Sequence, residues 1–342
     1  MATIGSTYLD IIDVLKRSKS DDKIQIAMVI EMLSQTNLML KDAIAVECNL
    51  GTRHRTTLRT SLPTGAWGQL YKGVPASKSG TDQVEDTTGF YEQLSSVDTR
   101  LLKLAGSQEG AVRLSEAQAH LENISQQMQS AMIYANADLE PLKFTGLAPR
   151  FNSLSDGTGG QIVDGGGAGS DNTSIWFLTY GERACHTIYP QGTQAGVQRE
   201  DKGEQRVLDA DGNPYYAKEE MFTQHNGLVV RDYRKVARIA NIDISELAAG
   251  NVDIYALLRK AFWKINRHRL PGEKRAIYAN ADVLEAIDAA ATPTMSSVQA
   301  SGTTGSVVRL RREEQDGEEV MIYRGIPFRQ VDAILNTEDL VA

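Results

Sequence analysis

The sequence predicts an α+β fold, and two observations support that class. Apolar residues recur at spacings of three and four from Leu114 to Ala135, which predicts one long helix. After residue 173, short segments rich in β-branched and aromatic residues alternate with turn signals, which is typical of strands. A long helix that stands apart from a series of strands indicates α+β rather than a regular α/β alternation.

The composition is that of a folded protein long enough for one large domain or two modest ones. The net charge of −8 argues against nonspecific nucleic-acid binding over the whole surface, although a local basic patch remains compatible with it. The start of the chain lacks the pattern of a signal peptide, and no apolar stretch approaches 18 residues. We therefore expect no membrane association and a chain that stays in the cytoplasm where it is made.

Two short helices are predicted near the start, at Tyr8–Arg17 and Asp21–Leu33, with Asp21 as the N-cap of the second. The second helix is apolar nearly all round, so its surface must be covered. Either the same chain or another subunit could cover it.

No acidic residue occurs from Cys48 to Thr81, among many Thr, Gly and Pro residues. The same stretch contains five basic residues: Arg53, Arg55, Arg59, Lys72 and Lys78. This pattern predicts a long β-hairpin or extended loop. It is either a solvated basic face or an arm that binds an acidic surface of another subunit or nucleic acid.

The Leu114–Ala135 helix has a narrow, heptad-like apolar seam, and its length would be roughly 30 Å at about 1.5 Å per residue. A coiled-coil dimer is one interpretation. Several seam positions are Ala, however, which favours packing against a sheet of the same chain.

A glycine-rich segment between Ser153 and Thr173 is predicted to be a flexible surface loop. It contains no Gly-Lys-Ser/Thr, and Ser174–Tyr180 after it is predicted to be a strand. A phosphate-binding loop would instead lead into a helix.

The later elements follow from turn and cap signals. An Asp-Gly turn predicts a hairpin of Gln205–Asp209 with Tyr215–Gln224, and the next run, Leu228–Ile242, reads as one strand. Asn251 is placed as the cap of a helix whose one face carries Ile254, Leu257, Leu258, Ala261, Phe262 and Ile265. The last turns of that helix carry Arg259, Lys260, Lys264 and Arg267, which suits the helix dipole.

The end of the chain is predicted to contain strands at Ser306–Arg312, Glu318–Tyr323 and Gly325–Asp332. The sequence Ile-Tyr-Ala-Asn-Ala-Asp occurs twice, at Ile133–Asp138 and Ile277–Asp282. Because the flanks differ, we interpret the two copies as local junctions with a packed aromatic residue rather than as a duplicated domain.

The residues that could carry chemistry form no recognisable pattern. The histidines are scattered without metal-ligand spacing: His54, His120, His186, His225 and His268. Cys185 and His186 are neighbours in a predicted strand and would point to opposite faces, so they are not expected to act as a nucleophile and base. We expect no disulfide between Cys48 and Cys185. The sequence thus predicts no catalytic, cofactor-binding or metal-binding residues and argues against an enzyme.

Several separated motifs form a series: Phe144-Thr-Gly-Leu-Ala-Pro-Arg-Phe151, Thr173-Ser-Ile-Trp-Phe-Leu178, Tyr180-Gly-Glu182, Ile188-Tyr-Pro-Gln-Gly192, Val230-Arg-Asp-Tyr233, Arg238-Ile-Ala-Asn-Ile242 and Tyr323-Arg-Gly-Ile-Pro-Phe-Arg-Gln-Val-Asp-Ala-Ile334. In content and order they resemble major capsid proteins of tailed bacteriophages with the Hong Kong 97-like fold, of the short-tailed phage type. The resemblance extends from about Thr88 onward. Before that point, only the order of elements is similar.

The resemblance implies five segments. They are an N-terminal arm at residues 1–48, an extended loop at 49–88, a peripheral domain with a long spine helix at 89–150, an axial domain with its connecting strands at 151–305, and C-terminal strands at 306–342 that return to the peripheral domain. The five basic residues of the extended loop, Arg53, Arg55, Arg59, Lys72 and Lys78, become candidate inter-subunit contacts. We found no Lys, Asn and Glu set that would match the covalent cross-link of some members.

The resemblance also implies a capsid protein that assembles with itself into hexamers and pentamers of an icosahedral shell, through a procapsid that expands. Its expected partners are scaffolding protein, portal, in some members a cement protein, and packaged double-stranded DNA on the inner face. It would be located in the virion after assembly in the host cytoplasm. The alternatives are a virion-associated binding or decoration protein and an unrecognised hydrolase. A binding protein would more often expose aromatic clusters, and the chain has only three Trp residues.

Overall fold

The computed structural model of the protein describes residues 18–20, 23–26, 38–155, 157–291, 310–315 and 318–342. These residues include helices and strands that pair in both parallel and antiparallel directions, so the predicted α+β class is confirmed. The chain divides into two compact units. One contains residues 90–129 and 194–225 with the described parts of 1–37, and the other contains residues 38–89, 130–193 and 226–342.

The first unit contains β6 (Gly89–Asp98), α2 (Thr99–Ala105) and most of α3 (Glu109–Tyr134). α2 begins where the Asp98 side chain accepts a hydrogen bond from the Arg100 N–H, and it ends at Gly106, whose φ of 55° suits glycine. A small cluster of buried residues joins these elements: Val97, Leu101, Leu102, Ala105 and Val112.

The long helix is confirmed, with Glu109–Tyr134 in place of the predicted Leu114–Ala135. It packs against a sheet of the same chain, because the His120 ring stacks on Phe222 at 5.7 Å between centroids. The predicted seam is only partly buried. Ala117, Ile124 and Met128 are buried, but Leu114 and Leu121 are exposed, so part of the predicted seam faces solvent.

The predicted hairpin in this unit is confirmed and is longer than expected, with β10 (Val197–Leu208) antiparallel to β11 (Pro214–Val230). The turn is stabilised by Asp209, whose Oδ1 accepts from the N–H groups of Asp211 and Asn213. β6 also pairs with β11. The first unit is therefore a small sheet with the long helix against it.

The second unit is built on a mixed sheet. In spatial order from one edge its main strands are β7 (Ile162–Asp164), β12 (Val236–Asp243), β8 (Asn172–Tyr180), β13 (Lys274–Ala279), β16 (Ile326–Gln330), β15 (Glu318–Tyr323) and β14 (Arg311–Gln315). β9 (Cys185–Tyr189) pairs with β8, with β3 (Ala45–Glu47) and with the last residues of β11.

The centre of this sheet is buried on both faces. All nine residues of β8 are buried, as expected for a near-continuous apolar strand with cover on each side. Ile175 and Phe177 belong to a core that also includes residues of the covering helices. On the other side of the strand, Trp176 contacts Phe151 edge to face and lies under the Arg238 guanidinium.

The helices of the second unit are α1 (Leu38–Asp42), α4 (Ile244–Ala248), α5 (Ile254–Asn266) and α6 (Ala281–Ala291). The predicted apolar face of α5 is confirmed, since all six of its residues are buried. The predicted cap is wrong. Asp253, not Asn251, accepts from the Ala256 N–H at 3.0 Å, while Asn251 donates to Glu246.

Two predictions about strands in this unit are wrong. Leu228–Ile242 is not one strand, because Asp232 accepts from the Arg234 N–H and starts a short 3-10 turn between β11 and β12. The glycine-rich segment is not a loop throughout, because β7 pairs in parallel with β12 and its Ile162 and Val163 are buried. A nonlocal partner thus creates a strand that the local sequence does not signal.

The predicted Asp21–Leu33 helix is contradicted at Lys23–Ile26, which forms β2, antiparallel to β1 (Ser18–Ser20). The alternation of polar and apolar residues in Lys-Ile-Gln-Ile suits a strand. The other residues of that prediction, and the Tyr8–Arg17 helix, lie outside the described residues.

The two Ile-Tyr-Ala-Asn-Ala-Asp copies are local junctions, as predicted. The first ends α3, where the Tyr134 hydroxyl donates to Glu338 at 2.5 Å. The second connects β13 to α6, where Asn280 Oδ1 accepts from the Val283 N–H. Tyr278 in this copy donates to the buried Asp42 at 2.9 Å.

The C-terminal strands occupy much of the predicted positions, although residues 306–309 are not described. β16 pairs in parallel with β13, so these strands join the central sheet of the second unit. The segment after them reaches the end of α3 and joins a buried ionic network. Glu338 accepts from Arg238 at 2.9 Å and also from Ser174, while Arg238 donates to the Phe151 carbonyl at 2.7 Å.

Candidate assembly surface

The predicted extended loop is a β-hairpin of β4 (Arg53–Ser61) and β5 (Gly80–Thr87), which pair antiparallel. Burial alternates along the first residues of β4, with His54 and Thr56 buried between exposed neighbours. From residue 59 to residue 78 every residue is exposed. The hairpin therefore has a buried base and a solvent-exposed tip, which we define as residues 59–78.

The base is fixed by polar contacts to the rest of its unit. Asp86 is buried and accepts from Arg150 at 2.7 Å, and the same guanidinium donates to the Leu228 carbonyl. The ring of His54 meets that of His186 in β9 edge to face, with 5.6 Å between centroids. Burial lowers the pKa of both imidazoles, that of His186 to about 4, so both rings are neutral near pH 7.

The five predicted contact residues lie in this hairpin but differ in their surroundings. Arg55 Nε donates to Glu85 Oε1 at 2.7 Å, and Arg53 lies 3.6 Å from the same carboxylate. These hydrogen bonds and charges lower the pKa of Glu85. An acidic residue beyond the acid-free stretch thus partly neutralises two of the five cations.

The other three predicted residues, Arg59, Lys72 and Lys78, are exposed. No ion pair joins them to a described residue. They form the unneutralised positive charge of the hairpin.

The tip has a second property that its charge pattern does not indicate. Five large apolar side chains are exposed in it: Leu62, Trp67, Leu70, Tyr71 and Val74. Trp67 and Tyr71 are fully exposed, and Tyr71 has a left-handed backbone with φ of 63°, where a β-carbon is unfavourable. The signal was present in the sequence, as a set of apolar residues among Gly, Pro and Thr.

Both cysteines are poor nucleophiles in this fold. Burial raises the pKa of Cys185 to about 12 and that of Cys48 to about 11, so both thiols stay protonated, and both are free of a disulfide. Within the described part of the chain, no group of three or more His, Cys, Asp or Glu could hold a metal ion. No helix among those residues has the length and apolar character needed to cross a membrane.

Comparison with known proteins gives a family match and a close structural similarity. A family model described as major capsid protein GP7 matches residues 21–342. A solved chain of bacteriophage Epsilon15 is 34% identical, with a TM-score of 0.73, and the match covers 100% of this chain and 99% of that chain. No curated protein sequence matches.

Two further solved structures are more distant. The holo-SrpI encapsulin of Synechococcus elongatus is 10% identical with a TM-score of 0.46, over 68% of this chain and 96% of that one. A chain of Microbacterium phage Oxtober96 is 12% identical with a TM-score of 0.43, over 67% and 97% of the two chains. Neither is close enough to support a functional conclusion.

Because the Epsilon15 match spans both chains almost completely, the likeness includes the entire subunit. The fold defines a class, the Hong Kong 97-like shell subunits of bacteriophages. The chain belongs to the major capsid protein GP7 family. It is therefore a structural component of the virion whose copies assemble with one another into the phage shell, and not a virion-associated binding or decoration protein.

Proposed function

We propose that the tip of the β4–β5 hairpin docks across a neighbouring copy of the chain when the shell forms. The observation that carries this proposal is the set of five exposed apolar side chains beside three unneutralised cations. Contiguous apolar surface on a projecting segment is typical of a protein interaction site. The earlier prediction based on charge alone is thereby extended to include Trp67 and Tyr71.

Burial of these side chains would contribute substantially to assembly. Each large apolar side chain contributes about 1.5–3 kcal/mol when fully buried. Association costs about 4–15 kcal/mol in lost rigid-body freedom. The tip therefore offsets much of that cost only if several of its apolar residues are buried together, and a shell needs further interfaces.

We further propose the remaining features that the family resemblance implies. Hexamers and pentamers would form the icosahedral shell in the host cytoplasm, with scaffolding protein, portal and a cement protein as partners and double-stranded DNA against the inner face. The subunit would consist of an N-terminal arm, an extended loop, a peripheral domain, an axial domain and C-terminal strands, at residues 1–48, 49–88, 89–150, 151–305 and 306–342. Membership of a capsid protein family favours a protein without enzymatic activity.

The decisive experiment compares two tip variants with the unaltered chain. One carries Trp67→Ser with Tyr71→Ser, and the other carries Arg59→Glu, Lys72→Glu and Lys78→Glu. Because all these residues are exposed, we expect soluble folded subunits but a loss of closed shells, counted by electron microscopy. Arg53 and Arg55 are less suitable, since reversal there would also repel Glu85.

Leu139→Ser is the matched control, because Leu139 is an exposed apolar residue outside the hairpin. It should leave the number of shells unchanged. Normal shells from both tip variants would refute the docking role of the hairpin.

A further inference from the structure

A basic cleft lies between β7 and α5 in the second unit and has a volume of about 680 Å³. Residues 160–164 form one wall, in which Asp164 is the one charged residue. α5 and the residues just after it form the other wall, with four basic side chains: Arg259, Lys260, Lys264 and Arg267. The lining therefore sets four cations against one carboxylate.

The sequence concentrates positive charge at this wall. Between Asp253 and Glu273 the chain has five Lys or Arg residues and no acidic residue, although acidic residues outnumber basic ones by 44 to 36 in the whole chain. At about 3.6 residues per turn, the basic residues of α5 fall on the side away from its six buried apolar residues. The apolar face packs in the core, so the basic face is left for a partner outside the subunit.

Three of the cleft cations are not neutralised within the described chain. The helix dipole accounts for basic residues in the last turn of α5, but Arg259 and Lys260 lie near its middle. No ion pair joins these two residues or Arg267 to a described residue. The carboxylate of Asp164 already accepts from the Gly166 N–H and from the Asn241 side chain.

Positive charge also continues past the end of α5. Burial and the charge of Arg267 lower the pKa of Lys264 in the cleft wall. Arg275 Nη1 lies 3.4 Å from Asn266 Oδ1, and burial and the charge of Arg269 lower the pKa of this guanidinium. Neighbouring cations thus repel one another in the free subunit, and a bound polyanion would relieve the repulsion.

The extent of the basic surface favours a polymer over a single acidic group. From Arg259 to Arg267 the helix rises about 12 Å, at about 1.5 Å per residue, and Arg269 and Arg275 lie beyond. Duplex DNA carries a negative charge about every 1.7 Å, so it can meet all these cations at once. The indole of Trp263 in the same wall is 48% exposed and makes no hydrogen bond to a described residue, so its N–H can donate to a phosphate.

We propose that the cleft and the end of α5 bind the phosphodiester backbone of double-stranded DNA. The inference rests on the proposed function in one respect, that such DNA is a partner of the shell, and it assigns that partner a surface on the subunit. Binding depends on charge and is independent of base sequence. Since the net charge of the chain is −8, much of the remaining surface repels DNA, and the cleft orients this side of the subunit toward it.

The test measures DNA binding by the purified full-length subunit. A fluorescent duplex of about 20 base pairs is titrated at several salt concentrations, and fluorescence anisotropy gives the affinity and its salt dependence. The cleft variant carries Arg259→Gln, Lys260→Gln and Arg267→Gln. These residues are exposed and Gln is a good helix former, so the variant should fold, as urea unfolding will check.

A matched control removes the same charge elsewhere on the surface. It carries three changes at exposed cations outside the cleft: Lys103→Gln, Arg183→Gln and Arg206→Gln. A comparison of the two variants separates a localised site from a general effect of net charge.

We expect the cleft variant to bind the duplex at least about tenfold more weakly and to lose about 3 from the slope of log affinity against log salt. The control should stay within about twofold of the unaltered chain, and an unrelated duplex sequence should bind equally well. No binding by the unaltered chain would show that the basic face is only solvated and would overturn the proposal. Equal losses in the two variants would also overturn it.

Polyglutamate that displaces the duplex as effectively as unlabelled DNA would assign the cleft to an acidic protein segment and overturn the proposal. The hairpin proposal is tested separately, because the cleft variant should still form shells. If it binds DNA normally while the Trp67 and Tyr71 variant loses its shells, the hairpin proposal stands and this one falls. Normal shells from the tip variants, with weak DNA binding by the cleft variant, would give the reverse result.

Discussion

The β4–β5 hairpin and the sheet around β8 differ in the burial of their aromatic side chains. Trp176 and Phe177 of β8 are fully buried, whereas Trp67 and Tyr71 of the hairpin tip are fully exposed. The sheet covers its apolar surface within one chain. Under the docking role proposed for the tip, the stability of the subunit and its assembly would depend on separate segments, so each could be altered without the other.

The largest expected effect on stability comes from the buried ionic network of the sheet. Glu338→Ala leaves Arg238 buried with no carboxylate, and we expect a loss of about 3–5 kcal/mol in the free energy of unfolding. Urea denaturation of the free subunit measures it. Glu140→Ala, which removes an exposed ion pair with Lys143, is the control and should cost less than about 1 kcal/mol. Equal losses in the two variants would contradict the assignment.

An intermediate effect on stability is expected where His54 of the hairpin contacts His186 of the sheet. Burial holds the pKa of His186 at about 4, below its ordinary value of 6.5, so the unfolded chain takes up the proton first as pH falls. The neutral ring therefore makes its full contribution to the free energy of unfolding above pH 6.5. About 3 kcal/mol of that contribution is lost as the pH falls to 4.

Urea unfolding of the free subunit at pH 7 and at pH 4.5 tests this. Because carboxylates also titrate in this range, the informative quantity is the difference between the native chain and His186→Leu. The variant should lose less stability on acidification. Parallel pH profiles of the two proteins would show that the imidazole does not contribute.

The smallest effect should come from the tip itself. In the free subunit, Trp67→Ser with Tyr71→Ser removes no buried contact, so the free energy of unfolding should change by less than about 0.5 kcal/mol. The same urea experiment measures it. A loss above about 2 kcal/mol would show that these residues stabilise the subunit, and it would remove the contrast between the two regions.

Elements with local signals could be predicted from the sequence, and elements that depend on distant partners could not. The periodic apolar residues of α3 and α5 predicted both helices. Asn251 and Asp253 are both good N-cap residues, however, and only the backbone conformation selects Asp253. β7 exists because β12 pairs with it from far along the chain. The contact of His54 with His186 likewise depends on the tertiary fold.

The candidate assembly surface could be predicted only in part, because some of its contacts also depend on residues that are distant in the sequence. The acid-free stretch located the hairpin, yet the partner of Arg53 and Arg55, Glu85, lies about thirty residues away on the opposite strand. The Gly, Pro and Thr residues around Trp67 signalled a segment without a core of its own, but a Trp is usually largely buried, so the sequence did not determine whether another part of the chain covers it. Only its surroundings in the fold show that nothing in the described chain covers it.

The hairpin is held at its base, so a small rotation there produces a larger displacement at its far end. β4 has nine residues, so its far end lies about 30 Å from the base at roughly 3.3 Å per residue. A rotation of about 10° at the contacts of Asp86 and His54 would move that end by about 5 Å. Small adjustments at a few fixed residues could thus let identical chains span the unequal gaps of a curved, closed surface.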